Sequence, residues 1–137
     1  MKKLAVIVTG GSYNNLLQAC EWIRIAAASG AQVSVLFRDE AASKLTHERL
    51  KQLTFSDAYK GRESKVRDML RERKRLDVPA VLREVKEAGN VKFSVCRETI
   101  EYFEITVDQL LPELDEVQKA EAFWKEAVAP ADQVLTF

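Results

Sequence analysis

Leu4-Ala5-Val6-Ile7-Val8-Thr9-Gly10-Gly11-Ser12 is the stretch whose reading decides the fold class. An unbroken apolar run, β-branched at Val6, Ile7 and Val8 and closed by a glycine turn, suits a strand buried on both faces. Asn14 or Asn15 can cap the helix that follows, because a short side-chain oxygen satisfies N–H groups of the first turn. Leu16, Leu17, Cys20, Ile23, Ala26 and Ala27 then recur at helical spacing until Ser29-Gly30, where glycine supplies the stop. Gln32 to Phe37 reads as a second buried strand. Strand, helix and strand within about 35 residues make a βαβ unit, which requires a parallel sheet.

The same alternation continues outward from this unit. Ala41, Ala42, Leu45 and Leu53 predict a helix over roughly 40–53, and 55–62 reads as irregular. Val66, Met69, Leu70 and Leu76 keep a thin apolar seam through the charged segment 62–76, the pattern of an exposed amphipathic helix. Asp77 can cap the next helix, with Pro79 tolerated in its first turn and Val81, Leu82 and Val85 inward. Val91 to Cys96 alternates as a strand does. A short helix is expected from Arg97 to Phe103, and a capping box at Thr106 to Gln109 starts another that Pro112 curtails. Leu114 to Val117 is a weak strand. Lys119 to Ala129 is a helix with Ala122, Phe123, Ala127 and Trp124 inward, and Gln133 to Phe137 is the last strand. The expectation is a single α/β domain over 1–137: three layers, α/β/α, around a mainly parallel sheet of about five strands.

Composition narrows the function classes. The 137 residues are 47% hydrophobic and 31% charged, with five Gly and three Pro, so neither disorder nor a linker-dominated architecture fits. Twenty-one basic residues balance twenty-one acidic ones, which disfavours a globally basic nucleic-acid binder. The balance is regional: residues 62–75 carry a net +4 and residues 98–132 a net −8. The basic run lacks aromatic residues for base stacking, so a solvated helix face competes only with a docking surface for an acidic carrier or a neighbouring subunit. No run approaches the ~20 apolar residues that span a bilayer. The apolar run after Met1-Lys2-Lys3 is also too short for a signal peptide, so a cytoplasmic protein with reduced thiols is expected.

Few residues can carry chemistry. His47 stands alone, without a second His or a Cys at ligand spacing, so no metal site is expected. Gly10, Gly11 and Ser12 could offer backbone N–H groups to an anion, but the turn lacks the dinucleotide and P-loop patterns, and glycines that merely turn the chain are the alternative. Cys20 lies in the apolar face of the first helix and reads as a small buried hydrophobe. Cys96 ends a strand, at the edge where open α/β sheets collect ligands. Arg97 follows it, and a helix starting there would direct unpaired N–H groups at the sulfur; both favour thiolate. The alternative is a buried strand-end cysteine with Arg97 in solvent.

Taken together, the N-terminal strand, Ser29-Gly30-Ala31-Gln32-Val33, the Val91 to Cys96 strand, Ile105 to Leu111, Ala122-Phe123-Trp124 and Asp132 to Phe137 resemble the DsrE/DsrF/TusD-like sulfur-relay family. The resemblance implies an α/β/α subunit that assembles as a homo-oligomer, trimer or hexamer, or with related subunits. It implies that Cys96 accepts sulfane sulfur as a persulfide and passes it to the thiol of a TusA-like sulfur-carrier protein or another thiol donor or acceptor. Such exchange needs a thiolate and access for the partner's sulfur but no cofactor, and it involves neither membrane nor nucleic acid. Members without this cysteine imply the alternative, a noncatalytic oligomeric or regulatory binding module of the same fold.

Overall fold

The computed structural model describes residues 2–137, and its apolar N-terminal run forms β1 (Lys3–Val8). Leu4, Val6 and Val8 face one hydrophobic cluster, and Ala5 and Ile7 face another, so the strand is covered on both sides. Helix α1 (Tyr13–Ala28) returns the chain to β2 (Gln32–Phe37), which pairs parallel with β1 from Lys3 opposite Gln32 to Val8 opposite Phe37. The remaining strands, β3 (Val91–Cys96), β4 (Glu116–Gln118) and β5 (Gln133–Thr136), complete an all-parallel sheet in the order β4-β3-β2-β1-β5.

Between β2 and β3 the chain forms α2 (Asp39–Ser43), α3 (Glu63–Glu72) and α4 (Val78–Glu87). After β3 come α5 (Arg97–Tyr102) and, beyond β4, α6 (Ala120–Phe123), which continues as a π-helical turn over Trp124–Val128. One layer is α1 and α4, whose Leu16, Cys20, Ile23, Val81, Leu82 and Val85 pack on the larger cluster with Phe37 and Phe93. Full burial of a side chain such as Phe93 stabilises by about 1.5–3 kcal/mol. The opposite layer is thin: Phe123, backed by the half-buried Ala127 and Val128, covers Ala5, Leu36 and Cys96. This is the three-layer α/β/α architecture that the βαβ pattern requires.

Helix α3 has no buried residue. It is held by the half-buried Leu70, which packs on the larger cluster, and by Arg67, whose guanidinium lies 5.3 Å from the ring centre of Phe55 and 5.8 Å from that of Tyr13. Its Asp68–Arg71 pair is solvated, so most of the charge of 62–75 faces water.

Several boundaries differ from the sequence expectation. The first helix is capped by Ser12, whose Oγ accepts from the Asn15 N–H at 3.2 Å, and not by Asn14 or Asn15. Asn14 instead clamps Ser56, accepting its N–H at 2.9 Å, and the Asn15 amide donates to the Gly10 carbonyl at 2.9 Å. The helix expected over 40–53 splits into α2 and a 3-10 turn at Arg49–Gln52. Thr46 interrupts it by bridging to Leu110, a long-range contact that local periodicity does not encode. The expected helix at Thr106 is reduced to a 3-10 turn, Val107–Gln109, in which Gln109 Oε1 accepts the Thr106 N–H at 2.8 Å. Trp124, expected inward, is 61% exposed, and Phe123 alone in that helix is buried.

Two features support direct tests. A Cβ on Gly11 would stand 2.8 Å from the Glu40 carbonyl oxygen, so the turn after β1 and the start of α2 approach too closely for a side chain. Gly11→Ala is expected to destabilise the protein by about 1–3 kcal/mol, read as a lowered urea midpoint with unchanged slope. Asp132 ties the start of β5 to the start of its neighbour β1 by accepting the Lys2 and Lys3 N–H groups at 3.0 and 2.8 Å, which hold its carboxyl below the usual range, the Lys3 bond first. Since the folded pKa is the lower one, this contribution is complete above about pH 4 and disappears as pH falls through the folded value. Asp132→Asn should therefore lower the thermal midpoint at neutral pH, with the gap to wild type closing on acidification.

Candidate functional site

All strands being parallel, their C-terminal ends converge on one edge, where Cys96 ends β3 and the Gly10-Gly11-Ser12 turn leaves β1. The two are separated by the end of β2. Register sets what lies beside the thiol: Phe37 pairs with Val95, so the next residue along β2, Arg38, comes level with Cys96. Asp39 then turns the chain in the left-handed region, φ 55°, and its N–H donates to Thr99 Oγ1 at 2.9 Å, fastening the exit of β2 to α5.

Cys96 is the N-cap residue of α5 and is 0% exposed, enclosed with Ala5, Leu36 and Phe123. Its thiol donates to Glu98 Oε2 at 3.4 Å. The other Glu98 oxygen, Oε1, accepts the Ala120 N–H at 3.4 Å and so ties α5 to the first turn of α6. Glu98's own backbone N–H, ahead of the Cys96 thiol, the Ala120 N–H and the Arg38 charge, holds its carboxyl below the usual range against a burial cost.

Of the residues singled out by sequence, Cys96 and Arg97 share this corner, but the Arg97 side chain is exposed and the charged group bonded to the thiol is Glu98. The N–H groups of Thr9 and Gly10 are taken by the Phe137 carbonyl at 2.8 and 3.4 Å, and that of Tyr13 by the Thr54 carbonyl at 2.8 Å. Ser12 Oγ serves as the helix cap. His47 is exposed in the turn after Thr46, not on a helix face, and its N–H donates to the Gln109 carbonyl at 3.3 Å. Cys20 is buried under α1 in the other cluster from Cys96, so the sheet lies between the two thiols.

Glu98 and Arg38 were not singled out from the sequence. Glu98 carried a weak signal, an acidic residue in the first turn of a helix expected to open at Arg97, where it meets the positive end of the helix dipole. Arg38 became a neighbour only through the pairing of β2 with β3.

A five-stranded parallel α/β/α sheet with a cysteine at its C-terminal edge defines the class of protein. The chain belongs to the DsrE/DsrF-like family, whose model it matches over residues 2–137, and membership points to sulfur relay at the level of the family. Among solved structures it is similar to that of MTH1491 from Methanobacterium thermoautotrophicum, a protein of unknown function. That likeness has a TM-score of 0.66 and 12% identity, and it covers 98% of this chain and 99% of the other. At that identity it concerns the fold alone. No curated protein matches the chain.

Burial, opposed in part by the Arg75 charge, pushes the Cys20 thiol up to about 12. Cys20 should therefore resist iodoacetamide in the native protein up to about pH 9 and react once urea unfolds the chain, as peptide mapping of the labelled sites would show.

Proposed function

We propose that this protein is a sulfur-transfer subunit in which Cys96 carries sulfane sulfur as a persulfide and hands it to a carrier-protein thiol of the TusA-like kind. The observation that carries this reading is the position of Cys96 at the C-terminal edge of the sheet in a DsrE/DsrF-like chain. The chemistry is thiol–disulfide exchange in form. The Cys96 thiolate attacks the terminal sulfur of a donor persulfide, the donor's S–S bond breaks as the new one forms, and the donor leaves as its thiolate. The proton from Cys96 passes to solvent and can be returned to the donor thiolate, so no net oxidation occurs and no cofactor is consumed. Arg97, exposed beside Cys96, offers positive charge to the incoming anion.

The basic segment 62–75 and the acidic segment 98–132 give the chain faces of opposite sign for self-association, as a trimer or hexamer, or for carrier docking. A cytoplasmic setting agrees with two free thiols and with the fact that no described helix is long and apolar enough to cross a membrane. One observation favours the competing reading, a noncatalytic binding module: the thiol is fully enclosed.

Incubation with a sulfane donor followed by intact-mass measurement separates the two. Wild type and Cys20→Ala are expected to gain one sulfur, and Cys96→Ser none. Equal uptake by Cys96→Ser removes Cys96 from the mechanism, and no uptake by folded wild type assigns the chain to the module.

A further inference from the structure

The corner around Cys96 is built for a thiol and not for its sulfurated form. The sulfur is enclosed with Ala5, Leu36 and Phe123, and its S–H donates a hydrogen bond to a carboxylate fixed from α6 through Ala120. Adding a second sulfur changes both terms. The interior there is close-packed, so an extra third-row atom forces its neighbours apart. The donor proton is also lost from Sγ, and a perthiol, a stronger acid than a thiol, places negative charge against the Glu98 carboxylate in a partly desolvated site. The hydrogen bond from Sγ is replaced by repulsion between the outer sulfur and the carboxylate.

The wall that must yield is the weakest covering element. Helix α6 has four residues, contributes Phe123 as its one buried side chain, and passes directly into a π-helical turn, a conformation frequent at functional sites.

Resting on the persulfide reading of Cys96, we propose that Glu98 is a positioning residue that favours the enclosed position of the empty thiol, which meets its donor only on transient opening of the α6 cover, and favours the outward position of the loaded persulfide, so that exposure of the sulfur rises on loading. The enclosed thiol is then the resting state of the carrier, protected from oxidation, and an acceptor meets chiefly subunits that hold sulfur. Arg38, level with Cys96 on β2, and Arg97 are the cationic groups positioned to meet the outward-turned anion.

Hydrogen exchange of the full chain, empty and sulfur-loaded, tests this, with loading verified by intact mass in each sample. In wild type, amides of α6 should exchange about tenfold faster when loaded, while those of α1 stay unchanged. Glu98→Gln keeps the shape and an acceptor oxygen but removes the charge, so its loaded form should lose most of that increase. Glu98→Asp, which restores the charge, should recover it. A purely structural role for Glu98 would instead raise exchange in the empty variants and leave the loaded-minus-empty difference intact. Loaded wild type with unchanged α6 exchange, or Glu98→Gln with the full increase, overturns the coupling while leaving the carrier reading standing. Wild type that takes up no sulfur overturns the carrier reading itself.

Discussion

The parallel pairing of β2 with β3 is the constraint on which the candidate site depends. Parallel strands send all their C-terminal ends to one edge, and the register that sets Phe37 opposite Val95 fixes which residues meet there. Arg38 and Cys96 leave the sheet level with each other, and the turn through Asp39 is fastened to α5 by Thr99. A register slip would move the enclosed thiol to the other face, because side chains alternate along a strand. The same alternation separates the two cysteines, Cys96 toward the thin layer and Cys20 beneath α1 in the thick one.

The unequal layers give the molecule a rigid and a yielding side. Helices α1 and α4 interlock through Ile23, Leu82 and Val85, and Gly89 approaches Ala27 so closely that an added Cβ would meet the Ala27 carbonyl oxygen at 2.5 Å. Across the sheet, one buried aromatic and a few small side chains suffice to cover Cys96. Local opening is cheapest where buried apolar contacts are fewest. A site beneath that cover can change its contents without disturbing the core that holds the strands in register.

Charge at the site runs against the simplest account of a reactive cysteine. A helix beginning at Arg97 suggested a thiol surrounded by positive charge, whereas the group in contact with it is an anion, and Arg97 extends into solvent. The reason is local geometry. Cys96 is the N-cap, so the side chain two residues on folds back over the first turn, where its carboxylate is stabilised by its own N–H and accepts a hydrogen bond from the thiol. Residue types at the right spacing indicated chemistry at this corner, but the side chain that governs it is chosen by direction, which spacing leaves open.

Much of the architecture was legible because it rests on short-range patterns. The run Leu4 to Val8, the helical spacing of Leu16, Cys20, Ile23 and Ala27, and the glycine at position 30 specify β1, α1 and the start of β2 by propensity and periodicity. Val91 to Cys96 likewise formed the strand its composition implied, and with it the place of Cys96 at a strand end. What the sequence left undecided depends on partners far along the chain. The break at Thr46 needs Leu110, the level placement of Arg38 needs β3, and the closure over Cys96 needs Phe123 and the Ala120 N–H. Local order along the chain determined the strands, the helices and the cysteine at the edge. Only the tertiary structure decided that its thiol is enclosed and bonded to Glu98, because burial and hydrogen-bond partnership arise from contacts between segments.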